Sequence, residues 1–137
     1  MIKTFKSLGK LFVLSCILCF SSCKNTNENK DMSFTLKGRN SYFVDSHNGI
    51  SVYRDNDTRK PLNGYYVIAN ESTKWEEFDV DNGVLNGDYI IYHNNGNKFS
   101  EAKYVKGKLH VEEKTYSLTG ALSKVSNYSH GVLYGRP

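Results

Sequence analysis

The residues best equipped for chemistry lie in one short segment, KWEEFDVD, from Lys74 to Asp81. It holds four carboxylates and Trp75, the single tryptophan of the chain. Side chains on a strand alternate between faces, so Trp75, Glu77, Asp79 and Asp81 are expected on one face, with Phe78 and Val80 on the other. Two carboxylates flanking a sugar could hydrolyse it, and an exposed tryptophan could stack on it. Three acids on one strand face also repel one another. Lys98, Lys103 and Lys106 are the expected partners on neighbouring strands. A binding patch or a solvated face is the simpler expectation, and no catalytic residue is assigned.

The remaining candidates are thinner. Asp79 opens DVDNGVLNGD, whose alternating Asp and Asn are like a calcium loop. Position twelve is Ile90, not the bidentate glutamate such a loop needs, so Asn82-Gly83 reads as a hairpin turn. His47, His93, His110 and His130 show neither an i, i+2 pair on a strand nor a His-x-x-x-His motif. No phosphate-binding glycine loop occurs, and no serine and histidine mark a triad. No metal and no cofactor are expected. The three cysteines, Cys16, Cys19 and Cys23, all fall in CILCFSSC. Their first pair has redox or zinc spacing, but a zinc site needs more ligands from a folded unit.

The surroundings of the cysteines give a different reading. Lys3, Lys6 and Lys10 open the chain, an apolar run follows from Leu11 to Phe20, and small residues end it at Ser21 and Ser22. That is the pattern of a secretory signal. The run is about half the roughly twenty residues a membrane-spanning helix needs. The ending FSSC resembles the lipobox of bacterial lipoproteins, with Phe20 where leucine is usual and Ser22 where glycine or alanine is usual. The resemblance implies cleavage before Cys23 and acylation of Cys23. Residues 1–22 are then the signal peptide, 23–33 the lipidated cysteine and a flexible tether, and 34–137 the domain. The tether, KNTNENKDMS, spans roughly 17 Å as a flexible coil. Lys24 is not the aspartate that favours inner-membrane retention, which implies an outer-membrane location in a Gram-negative envelope.

Cleavage changes the charge balance. The full chain carries 18 Lys plus Arg against 14 Asp plus Glu, but three of the basic residues lie in the signal. The mature chain is nearly neutral and has no basic run, so nucleic acid is not an expected partner. It is long enough for one small domain and has no cysteine beyond Cys23. Ten tyrosines suit a thin sheet, because a tyrosine buries its ring and keeps its hydroxyl wet.

An internal repeat organises that domain. Gly83, Gly107 and Gly131 are spaced by 24 residues, as are Leu85, Leu109 and Leu133, Tyr92 and Tyr116, and Val80, Tyr104 and Tyr128. An earlier unit fits with one residue deleted, placing Leu62 and Gly64 at 23 before Leu85 and Gly87. Short β-branched and aromatic segments alternate with Asn-Gly-like turns, which accept positive φ. Each unit is therefore strand, turn, strand, turn. The expected fold is all-β: an extended antiparallel β-meander of ~24-residue hairpin repeats, running from about Asn40 to Leu133. Val80, Tyr104 and Tyr128 should line one side of the sheet, the leucine column should pack in the turns, and Leu122 should share a face with Tyr128.

The pattern carried by Gly87, Tyr89, Tyr92, Gly96, Tyr104, Gly107 and Leu109 resembles the MORN-repeat variant of bacterial YwqK-type antitoxin components. The resemblance covers roughly residues 60–135. His110 and Val111 depart from it where Asn86 and Gly87 stood, and Glu113 stands at the place of Tyr89. It implies MORN-like hairpins and a toxin as partner. Exported, such a chain would act as an immunity-like protein or a general envelope binding module.

The expected function is a lipid-anchored envelope protein that binds a macromolecule, with Trp75, Tyr65, Tyr92, Tyr116, Glu77 and Asp79 as contact residues. The partners are the membrane, through acylated Cys23, and a toxin-like protein. Two alternatives are a glycan- or cell-wall-binding spacer and a small hydrolase built on the acidic strand. Replacing the acylated residue tests the anchor. Cys23→Ala is expected to abolish processing at this site and to shift the chain out of the membrane fraction, as read by gel mobility and fractionation.

Overall fold

The computed structural model describes residues 34–135, and the signal, Cys23 and the tether lie outside them. Ten strands form one sheet. They are β1 (Phe34–Lys37), β2 (Tyr42–His47), β3 (Ile50–Asp55), β4 (Gly64–Ala69), β5 (Lys74–Asp81), β6 (Val84–Tyr92), β7 (Lys98–Val105), β8 (Lys108–Tyr116), β9 (Leu122–Ser129) and β10 (Val132–Tyr134). The order runs β1-β4-β5-β6-β7-β8-β9-β10, and from β4 onward every neighbour is antiparallel. This is the expected all-β meander.

Its turns explain the repeated glycines. Asn48-Gly49, Asn82-Gly83, Lys106-Gly107 and His130-Gly131 all hold positive φ at both positions. Two-residue hairpins need that backbone because its twist matches the strands they join. Each later turn is also tied to the unit before it. The amides of Gly83, Gly107 and Gly131 donate to the carbonyls of Leu62, Leu85 and Leu109, at 2.7, 2.8 and 2.8 Å. No side chain fits at Gly83, where a Cβ would lie 2.8 Å from the Tyr53 carbonyl.

The N-terminal part departs from the meander. β1 pairs in parallel with β4, matching Phe34 to Tyr65 and Leu36 to Val67. Hairpin β2–β3 leaves the sheet path and touches it again through Val52 and Val84. Two of its rings, Tyr42 and Tyr53, are half of the four that surround Phe78. Phe78 is fully buried, with ring centroids of Tyr53, Tyr42, Tyr66 and Tyr89 between 4.9 and 6.3 Å away. Leu62, Ile68, Val80 and Leu85 close the cluster. The Lys37 ammonium, 2.5 Å from Asp55, ties β1 to the hairpin and holds the Asp55 carboxyl well below its usual pKa. The β2–β3 hairpin is thus the lid of the core.

Burial falls along the array. Leu62 and Leu85 are 4 % and 6 % exposed, Leu109 is half-buried, and Leu133 is 54 % exposed. The leucine column thus packs in the turns only where the hairpin covers it. Val80, Tyr104 and Tyr128 follow the same gradient, from buried to half-buried.

Bulges re-aim the side chains. Register slips once per unit at Trp75, Phe99 and Ser123, each skipped by the opposite strand. These positions are also 24 apart. A bulge inserts one residue and reverses the alternation on one side of it. Leu122 therefore faces with its partner Tyr116 and not with Tyr128, which corrects the simple alternation. A second bulge recurs in β6 and β8. There Gly87 has φ 145° and its counterpart Val111 has φ 72°. Positive φ is a genuine strain for a β-branched residue, and Val111 has little burial to offset it. Val111→Gly is therefore expected to stabilise the domain by about 1 kcal/mol, measured as a raised urea midpoint with unchanged slope.

Candidate functional site

The face opposite Phe78 carries the candidate residues. Tyr66 and Ile68 of β4 point into the core, so Tyr65 and Val67 point away from it. Glu77, Asp79, Ile90 and Tyr92 share that outer face by the pairing of β4, β5 and β6. The Glu77 carboxylate accepts from Lys74 Nζ at 2.5 Å, from the Tyr92 hydroxyl at 2.6 Å and from the Tyr65 hydroxyl. Lys74 also lies 4.0 Å over the Tyr92 ring.

One repeat further on the set recurs. Glu101 accepts from Lys98 Nζ and from the Tyr116 hydroxyl, both at 2.5 Å. Lysine i, glutamate i+3 and tyrosine i+18 thus appear twice, 24 residues apart. In a regular strand i and i+3 point to opposite faces. The extra residue at Trp75 or Phe99 turns lysine and glutamate to the same side, which is what lets the ion pair form.

Electrostatics follow from those contacts. Burial alone would push the Glu77 carboxyl up, but the three donors outweigh it and hold its pKa below the usual value. Lys98 and Tyr116 do the same for Glu101. Burial and the Glu77 carboxylate raise the phenols of Tyr65 and Tyr92, and the Glu101 hydrogen bond raises that of Tyr116. At neutral pH the carboxylates are ionised acceptors and the phenols protonated donors.

Beside the second set lies a groove of about 530 Å³ lined by Asp88, Ile90, Lys98, Glu101, Lys103 and Lys114 among others. Lys103 reaches Asp88 at 3.5 Å with both side chains more than half exposed. The groove is balanced in charge and open to water.

Sequence reasoning named Tyr65, Tyr92, Tyr116 and Glu77 as contact residues without assigning the tyrosines a face. The structure brings Tyr65, Tyr92 and Glu77 together here, with Tyr116 one unit on. Asp79 shares it, packed where Gly87 leaves no room for a Cβ. Trp75 does not share it. The bulge takes Trp75 to the other side, where it packs against the core cluster with Arg39 over its ring at 5.4 Å. The expected lysine partners also differ. Lys74, three residues away, neutralises Glu77, while Lys98 and Lys103 pair with Glu101 and Asp88. Lys74 and Glu101 were missed, although Lys74 with Lys98 and Glu77 with Glu101 carry the 24-residue spacing in the sequence. Glu76 was missed too. It accepts from the hydroxyls of Tyr42 at 2.5 Å and Tyr89 at 2.9 Å beside the aromatic core.

Among the described residues no group of three His, Cys, Asp or Glu is placed to hold a metal, and no helix is long and apolar enough to cross a membrane. Protein-family models, curated proteins and solved structures gave no match to this chain.

The two sets differ in donors, three at Glu77 and two at Glu101. Glu77→Gln should cost about 2 kcal/mol and Glu101→Gln about 1 kcal/mol. Each depressed carboxyl pKa adds stability above the unfolded value of about 4.3, lost as pH falls through the folded value. The gap between wild type and Glu77→Gln in urea unfolding should therefore close as pH falls below about 4.

Proposed function

We propose that this chain is a lipid-anchored envelope protein whose repeat sheet recognises a macromolecular partner, a toxin-like protein, in an antitoxin- or immunity-like role. The observation that carries the reading is the twice-repeated Lys–Glu–Tyr set beside an open groove. Half-buried tyrosines held by carboxylates lose little rotamer freedom when a partner lands on them, and tyrosine supplies contact area at low entropy cost. Tyr65, Tyr92, Tyr116, Glu77 and Asp79 form the contact face, with Ile90 as its apolar floor. The family resemblance supplies the class of partner, and acylated Cys23 supplies the anchor.

The alternatives find less support. A glycan-stacking face would lean on Trp75, whose ring packs against the core under Arg39. A hydrolase would need one carboxyl able to give up a proton near neutral pH, and Glu77 is held below its usual pKa by three donors.

The test is capture from the native envelope with brief crosslinking. The wild-type chain is compared with the charge-swapped double variant Asp88→Lys, Lys103→Asp. That swap keeps an ion pair on the groove, so the fold should be retained, while the pattern offered to a partner is reversed. One protein recovered near one-to-one, and recovered about tenfold less well by the variant, is expected. Recovery of wall polymer alone, or equal recovery by both chains, would overturn the reading.

A further inference from the structure

The two ends of the sheet are open edges. Among the described residues, β1 has a sheet partner only in β4, and β10 only in β9. Natural sheets guard such edges with charges, prolines or covering segments. Here the edge sequences are FTLK and VLY. The one edge lysine, Lys37, is spent on Asp55. Phe34, Leu36, Val132, Leu133 and Tyr134 are all more than half exposed.

The two edges match in face. Phe34 and Leu36 pair with Tyr65 and Val67, so they lie on the outer face. Leu133 pairs with Tyr128 of the inner face, so Val132 and Tyr134 lie on the outer face. Each edge thus offers two apolar side chains, two residues apart, on the same side of the sheet. They match in direction as well. β1 runs parallel to β4, and six antiparallel steps from β4 bring β10 to the same direction. A copy shifted sideways would set its β1 beside β10 in parallel, with the apolar pairs side by side and the sheet continued at ~4.8 Å spacing.

Charge supports joining unlike ends. Residues 34–97 carry six Lys or Arg against nine Asp or Glu, and residues 98–135 carry six against three. One half of the array is acidic and the other equally basic. Like ends would bring equal charges together; unlike ends bring opposite ones.

We infer that a second copy of this chain docks on the β10 edge through its own β1 edge, head to tail, continuing the sheet. This contact uses the edges and is independent of the groove. Because each copy leaves one edge of each kind open, the assembly is an open row and not a closed dimer.

The test uses the full chain in mild detergent, with a photoreactive phenylalanine in place of Tyr134. Light and heavy isotope copies are mixed, so that links between chains can be mapped. Links from position 134 to residues 34–37 of another copy are expected. They should form a ladder of sizes and weaken several-fold at ~1 M salt, where charges are screened within ~3 Å. Leu36→Lys, at an exposed edge position, should abolish the links while leaving the urea unfolding midpoint at its wild-type value. Links from position 134 to β9 or β10 of another copy would mean like ends meet and would overturn the proposal. A chain that stays monomeric at all concentrations would overturn it equally.

Discussion

A single backbone hydrogen bond, repeated, holds this protein in register. The amide of each turn glycine donates to the carbonyl of a leucine in the preceding unit, from Gly83 to Leu62, Gly107 to Leu85 and Gly131 to Leu109. The bond requires a left-handed turn, hence the glycine, and it places a leucine beside each of these three turns. With turn and leucine fixed to each other, the strand length between them is fixed too. Every feature that recurs at 24 residues inherits that spacing. The bulges at Trp75, Phe99 and Ser123 then fall at equivalent places, and so do the side chains they redirect.

The bulge is what converts a plain sheet into a site. Alternation would have set Lys74 and Glu77 on opposite faces, leaving a cluster of acids without a local cation. One extra residue per unit brings lysine, glutamate and the tyrosine of the next strand to a common point. Repulsion between carboxylates, which looked like a cost in KWEEFDVD, is met within the same strand. The third unit shows the dependence by its absence. Leu122 and Val125 stand where Lys98 and Glu101 stood, the bulge persists at Ser123, and an apolar side chain is turned outward. Backbone geometry repeats three times and the chemistry only twice.

The sequence carried the turns, the leucine column and the strand succession openly, because glycine at positive φ and a fixed spacing leave direct marks. It carried the Lys–Glu–Tyr set as well, at the same spacing, but alternation alone could not bring lysine and glutamate together. Trp75 was misplaced for the same reason: an extra residue in a strand has no composition of its own, and Trp, Phe and Ser all fill the bulge. The fold-back of β2–β3 was not legible either. Its rings pack on Phe78, a contact between segments more than twenty residues apart. Nothing local in YFVDSH distinguishes a lid strand from another unit of the meander. The parallel pairing of β1 escapes for a similar cause, since a chain segment reaching β4 past a hairpin leaves no turn signal to read.

The fold-back also explains why the two ends behave differently. A sheet one layer thick cannot bury a core by itself. The protein solves this once, by laying a hairpin over β4–β6, and there the leucines, Val80 and Phe78 are sealed from water. Beyond that lid the repeats persist on turn and ladder hydrogen bonds and on side-chain contacts such as Lys98–Glu101–Tyr116, with the inner face only partly covered. Their polar outer pattern then remains exposed, which is the condition for a recognition surface. The strained Val111 and the outward Leu122 lie in this second half. Stability is thus concentrated where the lid sits, and the open chemistry extends from the lid margin into the uncovered repeats, where the groove is. A lid extended over the whole array would raise stability and close off only the inner face, so the outer sets at Glu77 and Glu101 do not depend on the core being large. They depend on the bulges keeping their place.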